Sequence, residues 1–347
     1  MRLLRTEALQ SRPRVTVVIP NYNYERYVGR AIASALDQPG VDVDVLVADN
    51  GSTDGSVEYI RALAADDPRI RLTTRPANIP YIENFNGGIA AATGDYTVVL
   101  CSDDLLAPGS LARATAFLEA RPDVAFVYGH CPTFDDAPPA PRIDPSGWTL
   151  WGGTEWITLL YMSGRNFIRH PEVVMRTSVL RDAGAYDESR PEASDMILWI
   201  RAAELGGVGR VNGADQGYFR IHGGNQHLHL DDGLLSDLTN RRDVFDLCAG
   251  RSMWHRHLAK RARSALAGHA VRFATVILDR AGPSAHAEAQ RLADWALATS
   301  PGIRHRPGYR ALSAALAGSD ACALVAFRWA RNTRSALAVR LKKHVGV

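Results

Sequence analysis

Apolar segments that end in polar or acidic residues recur near the start of the chain, and this repeat limits the fold more than any other feature. Residues 15–19, 43–48 and 96–101 have the composition of buried strands. The second segment runs into Asp49, and the third is followed closely by Asp103. Because open α/β sheets bind ligands beyond the carboxyl ends of their strands, the repeat predicts a binding site at one edge of a sheet.

Helical segments lie between these strands. Apolar residues at helical spacing predict a helix over residues 25–37 and another over 82–92. The further elements predicted are a helix starting near Asp54, a strand at 70–73, a helix starting near Pro108 and a strand at 124–128. Repeated βα units of this length predict an α/β fold with a Rossmann-like, mostly parallel sheet flanked by helices.

The chain divides into regions of different composition. Five prolines between residues 132 and 150 predict an irregular loop or boundary in place of a regular element. We therefore expect an N-terminal tail over 1–13, a main domain over 14–230 with halves at 14–130 and 150–230, and a helical C-terminal region over 231–347.

Composition excludes several classes of protein. Apolar residues make up 46% of the 347 residues and charged residues 22%, which excludes wholesale disorder. The net charge of +3 is too small to indicate nucleic-acid binding. Four scattered cysteines fit a reducing compartment, and we see neither a signal peptide nor an apolar run of membrane-spanning length. We therefore expect a cytoplasmic protein.

Asp103 and Asp104 are the strongest sign of chemistry in the sequence. Two adjacent carboxylates repel each other unless a positive charge lies beside them. With no cluster of cysteine and histidine beside them, they suit a hard cation such as Mg²⁺ or Mn²⁺, which also neutralises a diphosphate. The alternative for Asp104 is a cap on the turn near Pro108.

The residues after the first two strands are suited to meet a nucleobase. Pro20 ends the first segment, and Tyr22 and Asn23 follow with an aromatic face and an amide. Asp49 ends the second segment, where its carboxylate can accept hydrogen bonds from a base or a ribose. The alternative is an ordinary strand-to-helix turn with Tyr22 packed on the protein. Asp54 is explained by helix capping alone.

Two later segments carry further polar groups. Ser194 is predicted to cap an apolar helix, and Asp195 in its first turn is either a catalytic base or a residue that complements the helix dipole. Arg220 and His222 alternate on a predicted strand and therefore face one side. With the glycines that follow, they predict contact with a phosphate or a metal, against the alternative of a structural histidine.

These motifs, in this order, resemble the family 2 glycosyltransferases of the GT-A fold over about residues 14–226. The matching segments are residues 19–23, 47–56, 84–96, 100–109, 184–201 and 220–225. The resemblance implies a nucleotide diphosphate-sugar donor (UDP- or dTDP-linked), an acceptor hydroxyl, a divalent cation (Mn²⁺ or Mg²⁺) and inversion at the anomeric carbon. It also implies a role in making a cell-surface glycan or a secondary metabolite.

The same resemblance assigns roles to individual residues. Asp195 is the expected general base, and Asp103, Asp104 and His222 are the expected metal-binding residues. The residues expected to contact the nucleotide-sugar are Pro20, Tyr22, Asn23, Asp49, Asn50, Ser52, Asn84, Ser102, Asp103 and Arg220.

Three positions depart from the family pattern. Cys101 replaces the first acidic residue of the metal motif, which bears on metal affinity and preference, although the two aspartates that follow keep metal use as the expectation. Asn50 stands where the family often has an acid, and Ser194 stands where a second acid usually precedes the base. Glu192 is an alternative base, but the spacing to the following tryptophan favours Asp195.

The end of the sequence combines basic and apolar side chains. No acidic residue follows Asp320, whereas six arginines and lysines are interleaved with apolar residues between 324 and 347. Such a helix fits either peripheral contact with an anionic membrane, with a lipid-linked acceptor at its inner face, or packing on the catalytic domain. Helical extensions of this kind either form homo-oligomers or simply pack within the chain.

Two other functions are weighed against a glycosyltransferase. A metal-dependent nucleotidyltransferase also uses carboxylates on an α/β sheet, but no glycine-rich basic loop follows the first strand. A catalytically silent sugar-nucleotide-binding or scaffold protein is the second alternative, because Cys101 interrupts the metal motif. Hydrolysis or transfer of the donor separates the silent protein from a working enzyme.

Overall fold

A mixed β-sheet organises the first part of the chain, in a computed structural model that describes residues 2–4, 9–223 and 233–318. The strands are β1 (Arg2–Leu4), β2 (Arg14–Asn21), β3 (Asp42–Asp49), β4 (Ile70–Thr74), β5 (Tyr96–Val99), β6 (Leu105–Leu106), β7 (Val124–His130), β8 (Thr133–Phe134), β9 (Gly147–Trp151), β10 (Val174–Arg176), β11 (Gly207–Asp215) and β12 (Gly217–Arg220). The α-helices are α1 (Glu25–Leu36), α2 (Ser56–Asp66), α3 (Tyr81–Ala90), α4 (Ser110–Ala120), α5 (Gly153–Ser163), α6 (Thr177–Asp182), α7 (Ser194–Leu205), α8 (Leu234–Ala249), α9 (Met253–Ala281), α10 (His286–Thr299) and α11 (Pro307–Leu316).

The strand order defines an α/β fold. Within the described residues, nine strands form one sheet in the order β1-β9-β11-β7-β10-β5-β2-β3-β4, and β6, β12 and β8 form a small second sheet. The strands β4, β3, β2 and β5 are parallel, as predicted for the first region. The strand β10 is antiparallel to both neighbours, and β9 is antiparallel to β11 and β1. The predicted α/β fold is confirmed, and its sheet is mixed because these later strands join it in the opposite direction.

The elements of the first region form because their apolar residues match the period of each element. In α1 the buried residues Val28, Ala31, Ile32 and Ala35 lie on one face of the helix. The strands β2 and β3 are buried along almost their whole length, which is typical of parallel strands covered on both faces. This helical face and these strands share one hydrophobic core.

The strand β2 continues two residues beyond its predicted end. Pro20 lies opposite Ala48, and Asn21 lies opposite Asp49, in the parallel pairing with β3. A proline is tolerated at this point because the pairing of β2 with β5 ends at Val18, so no strand requires its missing N–H. The extension places Asn21 and Asp49 side by side at the carboxyl ends of β2 and β3.

The segment with five prolines is not wholly irregular, and that prediction is wrong for its two ends. The strand β8 lies near its beginning, and β9 closes it by pairing with both β11 and β1. The strand β1 itself comes from the region expected to be a tail. These pairings join segments that are far apart in sequence, so no local pattern indicates them.

Two compact units divide the described residues. The first holds residues 2–4, 9–157 and 167–223, and the second holds 158–166 and 233–318. The helix α5 therefore contributes residues to both units. The described residues from 233 onward are almost wholly helical, as predicted.

The second unit is built from packed helices. The helix α9 packs against α8 and α10, and it buries small and apolar residues such as Ala262 and Leu266. Tyr161 adds a polar contact, because its hydroxyl lies 2.9 Å from His255 Nδ1 while its ring packs on Phe245. Among the described helices, none has the length and apolar character needed to cross a membrane. The basic segment 324–347 lies outside the described residues.

Candidate active site

Asp49, the last residue of β3, is held in one orientation by two neighbours. Its buried Oδ2 accepts hydrogen bonds from Asn21 Nδ2 at 2.7 Å and from Ser52 Oγ at 2.6 Å. Its Oδ1 accepts the backbone N–H of Ser52 at 2.9 Å. A residue that recognises one edge of a ligand requires a fixed orientation of this kind.

Asn21 connects this carboxylate to the segment that carries the adjacent aspartates. Its Oδ1 accepts a hydrogen bond from Ser102 Oγ at 3.0 Å, and the same hydroxyl donates to the Pro20 carbonyl at 2.7 Å. Asn21 was not among the expected binding residues. The signal that could have found it is its place after Pro20, in register with Asp49.

The loops after β2 and β3 are tied together by side chains. Asn23 has φ of 55°, a left-handed conformation that asparagine tolerates, and its Oδ1 accepts the Thr53 N–H at 2.7 Å. Asp54 accepts the backbone N–H groups of Glu25 and Ser56, each at 3.0 Å. The N-cap position of α2 is Gly55, so Asp54 is not the cap residue itself, but its carboxylate has the expected structural role of accepting an N–H at the start of a helix, for both α1 and α2.

The side-chain amides of two expected nucleotide-binding residues form hydrogen bonds with the protein backbone. Asn50 Nδ2 donates to the Ile79 carbonyl at 2.8 Å, and Asn50 Oδ1 accepts the Ile79 N–H at 3.1 Å. Asn84 Nδ2 donates to the Ala48 carbonyl at 2.7 Å. Tyr22 is 38% exposed and keeps an aromatic face towards solvent. Direct contact of these three residues with a nucleotide stays a prediction.

Cys101, Asp103 and Asp104 each place one potential ligand atom within 4.8 Å of the others. Opposite ligands of a divalent cation lie about 4–5 Å apart, so a single ion fits between them. Asp104 is 1% exposed, and its Oδ1 accepts the Arg220 N–H at 2.9 Å. Its Oδ2 is buried without a hydrogen-bond partner in the described part of the chain. Burial and the charge of Asp103 raise the pKa of Asp104 well above its usual range, an effect that a bound cation would oppose.

Residues 101–104, which carry the possible metal ligands, are called the metal segment below. Arg220 and His222 reach this segment from the end of β12. Arg220 Nε donates to the Asp103 carbonyl at 2.9 Å, and its guanidinium lies 4.8 Å from the ring centre of Tyr27. His222 Nε2 lies 2.9 Å from Asp103 Oδ2, and its ring centre is 5.0 Å from that of Tyr27. Both side chains contact Asp103 and Tyr27, but β12 ends at Arg220, so the predicted strand does not extend to His222. Their contacts orient Asp103, which is how residues behind a metal ligand commonly act.

The helix α7 starts at Ser194, one residue earlier than a cap at Ser194 requires. Ser194 is the first helical residue, and its Oγ donates back to the Pro191 carbonyl at 3.1 Å, so the prediction of Ser194 as the N-cap is wrong. A short 3₁₀ turn before α7 causes the shift. Asp195 is half-buried in the first turn, where its Oδ1 accepts the N–H of Met196 at 2.6 Å.

The expected base, Asp195, interacts electrostatically with Cys101 of the metal segment. Burial, together with the charges of Asp104, Asp103 and Asp195, raises the pKa of the Cys101 thiol well above its usual range. Asp195 comes from α7, whereas the other three residues follow β5. The fold therefore brings together the two acidic features that the sequence places far apart.

An aromatic cluster adjoins Asp195. The ring centre of His170 lies 5.6 Å from that of Tyr186 and 6.2 Å from that of Trp199. The polar atoms His170 Nε2, Tyr186 Oη and Trp199 Nε1 are buried without a hydrogen-bond partner in the residues that the structure describes. Buried polar atoms of this kind call for a ligand or an ordered water. No sequence pattern singles out His170, which lies in a short turn before β10.

The order of the strands gives the first part of the chain an α/β fold of the GT-A kind, with carboxylates beyond the end of β5 and an aspartate at the start of α7. The sequence model of glycosyl transferase family 2 matches residues 16–181. It is 29% identical over 228 residues to an uncharacterized glycosyltransferase of Nostoc sp., covering 62% of this chain and 67% of that protein.

Solved structures share the fold at low sequence identity. Residues 1–349 of S. aureus TarS, in complex with UDP-GlcNAc, superpose with a TM-score of 0.63 at 14% identity over 88% of each chain. A mannosyltransferase from Pyrobaculum calidifontis, in complex with GDP-Man and Mn²⁺, gives a TM-score of 0.59 at 18% identity, covering 97% of this chain and 83% of that one. The expected GT-A fold is confirmed.

Proposed function

We propose that this glycosyltransferase moves a sugar from a nucleoside diphosphate-sugar to an acceptor hydroxyl with inversion, assisted by a divalent cation at Asp103 and Asp104. One observation carries the proposal. Asp104 Oδ2 is buried without a hydrogen-bond partner in the described residues, while a ligand atom of Asp104 lies within 4.8 Å of one on Asp103. Burying two neighbouring carboxylates is costly unless a cation accompanies them.

The solved structures with this fold support the ligand class. TarS was determined with UDP-GlcNAc, and the mannosyltransferase with GDP-Man and Mn²⁺. Both are sugars joined to a nucleoside diphosphate, and one is accompanied by a divalent cation. By analogy, this chain uses a nucleotide-sugar donor, and the choice among UDP, dTDP and GDP is left to experiment.

The base of the nucleotide is held at the ends of β2 and β3. Asp49 accepts hydrogen bonds from N–H or hydroxyl groups of the nucleoside, in the orientation that Asn21 and Ser52 impose. Tyr22 offers its exposed ring for stacking. Ser102 links this subsite to the metal segment through its contact with Asn21.

The diphosphate lies beside the metal segment. When bound, a divalent cation neutralises the negative charge that grows on the departing diphosphate. Asp103 and Asp104 would hold that ion. His222 fixes the carboxylate of Asp103, and Arg220 fixes its backbone carbonyl.

Asp195 acts on the acceptor. Its carboxylate takes the proton of the acceptor hydroxyl while the hydroxyl oxygen bonds to the anomeric carbon. The bond from that carbon to the diphosphate oxygen breaks on the opposite face, and the nucleoside diphosphate leaves. One displacement inverts the anomeric centre and needs no covalent glycosyl-enzyme. A half-buried carboxylate at the start of a packed helix provides the rigid mount that this step requires.

Release of nucleotide from a panel of UDP-, dTDP- and GDP-sugars, with Mn²⁺ or with chelator, tests the proposal. We expect Mn²⁺-dependent release from one class of donor, with Asp195→Asn lowering the rate about 100-fold or more. Glu192→Gln is the matched control, because Glu192 is exposed on the same segment and is the alternative base. We expect this variant to retain the wild-type rate.

Each other outcome has a definite meaning. Loss of activity in Glu192→Gln but not in Asp195→Asn moves the base to Glu192. Thermal stabilisation by a nucleotide without turnover of any donor favours the catalytically silent alternative. Pyrophosphate release from a nucleoside triphosphate identifies a nucleotidyltransferase.

A lipid-linked acceptor stays a prediction, because it rests on the basic segment 324–347. Cosedimentation with anionic vesicles tests it, using the full chain and a version that lacks this segment. Loss of binding on deletion is the expected result, and equal binding by both versions removes the support for membrane contact.

A further inference from the structure

The metal segment contains a thiol that a purely carboxylate site would not have. Cys101 is half-buried, and its Sγ lies within 4.8 Å of a carboxylate oxygen of Asp103 and of Asp104. The Asp104 N–H donates to the Cys101 carbonyl at 3.0 Å, which closes the segment into a tight turn. The turn keeps the three side chains together.

A second observation points to a ligand at the same place. Asp104 Oδ2 is buried and has no hydrogen-bond partner among the described residues, although Asp104 Oδ1 is satisfied by the Arg220 N–H at 2.9 Å. A buried carboxylate oxygen is rarely left unsatisfied. Its neighbours Cys101 and Asp103 also offer ligand atoms, so a cation explains all three residues together.

We propose that Cys101 is itself a metal ligand, and that this site binds thiophilic divalent cations such as Cd²⁺, Zn²⁺ and Co²⁺ in preference to Mg²⁺. The metal assignment itself does not require the proposed function. It rests on that function only for the role that the cation has in sugar transfer. Thiolates select soft and borderline ions, whereas Mg²⁺ demands oxygen ligands in near-octahedral geometry. On binding, the S–H bond of Cys101 breaks, its proton passes to solvent and a sulfur–metal bond forms, with no change of oxidation state.

The spacing agrees with a shared ion. Metal–sulfur bonds of about 2.3 Å and metal–oxygen bonds of about 2.1 Å place opposite ligands about 4.4 Å apart. The three ligand atoms lie within 4.8 Å of one another, so they reach one cation with little movement of the backbone. His222 lies behind Asp103, hydrogen-bonded to its carboxylate, and supports the ligand from the second layer.

Absorption spectroscopy of the full-length protein tests this inference independently of activity. Cd²⁺ or Co²⁺ is added after treatment with chelator, and the near-ultraviolet charge-transfer band of a metal–thiolate bond is recorded. We expect the band in the wild-type protein and its loss in Cys101→Ser. Cys131→Ser is the matched control, because Cys131 is also half-buried but lies outside the group of three. This variant should keep the band.

A second variant measures metal preference. Cys101→Asp supplies an oxygen ligand, and we expect it to lower the ratio of Cd²⁺ to Mg²⁺ affinity at least about tenfold, read from thermal stabilisation. A wild-type protein without the band, a band that survives Cys101→Ser, or an unchanged affinity ratio in Cys101→Asp overturns the inference.

The two proposals fail in different ways. Donor turnover by a protein that shows no thiolate band leaves the proposed function standing and removes Cys101 from the metal site. A band that depends on Cys101, in a protein that turns over no donor, supports the metal assignment and removes the proposed function.

Discussion

Asn21 and Asp49 lie opposite each other at the ends of β2 and β3, and Asn21 Nδ2 donates to Asp49 Oδ2 across 2.7 Å. Both side chains are buried. The other end of the Asn21 amide accepts a hydrogen bond from Ser102, next to the metal residues. One asparagine therefore links the carboxylate on the nucleoside side to the metal segment.

Replacing Asn21 by alanine should weaken both folding and nucleotide binding. The change removes a charge-assisted hydrogen bond to a buried carboxylate, which lowers the free energy of unfolding by about 1–3 kcal/mol. We expect nucleotide affinity to fall about tenfold, a loss of about 1.4 kcal/mol, because Asp49 is no longer fixed. Urea denaturation and titration with UDP, dTDP and GDP in Mn²⁺ measure the two effects.

The control for Asn21→Ala is Asn212→Ala. Asn212 Nδ2 donates to Thr149 Oγ1 at 2.9 Å on β9, and this side chain has no contact with Asp49. We expect Asn212→Ala to leave nucleotide affinity unchanged. Equal losses of affinity in the two variants would show that Asn21 acts only through overall stability.

Replacing Arg220 by lysine should weaken the metal site. The guanidinium donates to the Asp103 carbonyl at 2.9 Å and to the Asp135 carbonyl at 2.6 Å, a pair of contacts that the single ammonium of lysine cannot reproduce. We expect Mn²⁺ affinity to fall about 10–100-fold, as for other residues that orient a metal ligand. Thermal stabilisation by Mn²⁺ measures it. Arg113→Lys is the control, since Arg113 also binds a carbonyl, that of Asp215, at 2.6 Å.

Glu172 should make folding stability depend on pH between the acidic and neutral ranges. It is buried, its Oε1 accepts the Arg169 N–H at 2.7 Å, and burial raises its pKa from 4.5 to about 8. The folded state therefore keeps a proton that the unfolded chain releases above its own, lower pKa. This contribution is complete below about pH 4.5 and is lost as the pH rises to about 8, by at most about 1.4 kcal/mol per pH unit.

The variant Glu172→Gln cannot titrate and should remove that slope. Urea denaturation at several values between about pH 5 and pH 8 measures the free energy of unfolding of wild type and variant. Glu83→Gln is the control, because Glu83 is exposed on α3. Parallel curves for wild type and Glu172→Gln would contradict a buried, protonated Glu172.

Asp215 should act in the opposite direction at low pH. Burial acts to raise its pKa, but hydrogen bonds from Arg142, at 2.6 and 2.9 Å, lower it overall. Its stabilising effect is therefore present above the unfolded pKa of about 3.9 and is lost as the pH falls below that value. We expect Asp215→Asn to destabilise the fold by about 2 kcal/mol at neutral pH and to flatten the acid side of the stability curve.

The control for Asp215→Asn is a surface ion pair. Asp123 pairs with Arg121 at 2.7 Å, and the Asp123 side chain is largely exposed. Asp123→Asn should change the free energy of unfolding by less than about 1 kcal/mol. A similar small effect in Asp215→Asn would show that the Arg142 contact contributes little to stability.

The parallel half of the sheet was predictable because its signals are local. The apolar period of α1 and the polar residues after β3 and β5 depend only on nearby sequence, and the observed bounds differ from the predicted ones by a few residues at most. The antiparallel strands β9 and β1 were missed because they pair with distant segments. A short strand carries no sequence mark of its partner.

The candidate site shows the same division. Asp103, Asp104 and Asp195 were identified from strand ends, a helix start and a family resemblance. The side chains of Asn50, Asn84 and Arg220 were expected at the nucleotide, and the structure shows the protein carbonyls that they bind. Side-chain amides and guanidinium groups suit either role, so residue type alone did not decide between them.

The sequence by itself determined the βα order, the acidic strand ends, the presence of a thiol at position 101 and the helical character of residues 233–318. Tertiary structure alone decided that Asn21 fixes Asp49, that Tyr27 packs against both Arg220 and His222, and that residues 158–166 join the second unit. The physical reason is distance along the chain. Local period and composition specify an element, whereas the partner of a buried polar group is set by whichever distant segment the folded core places beside it.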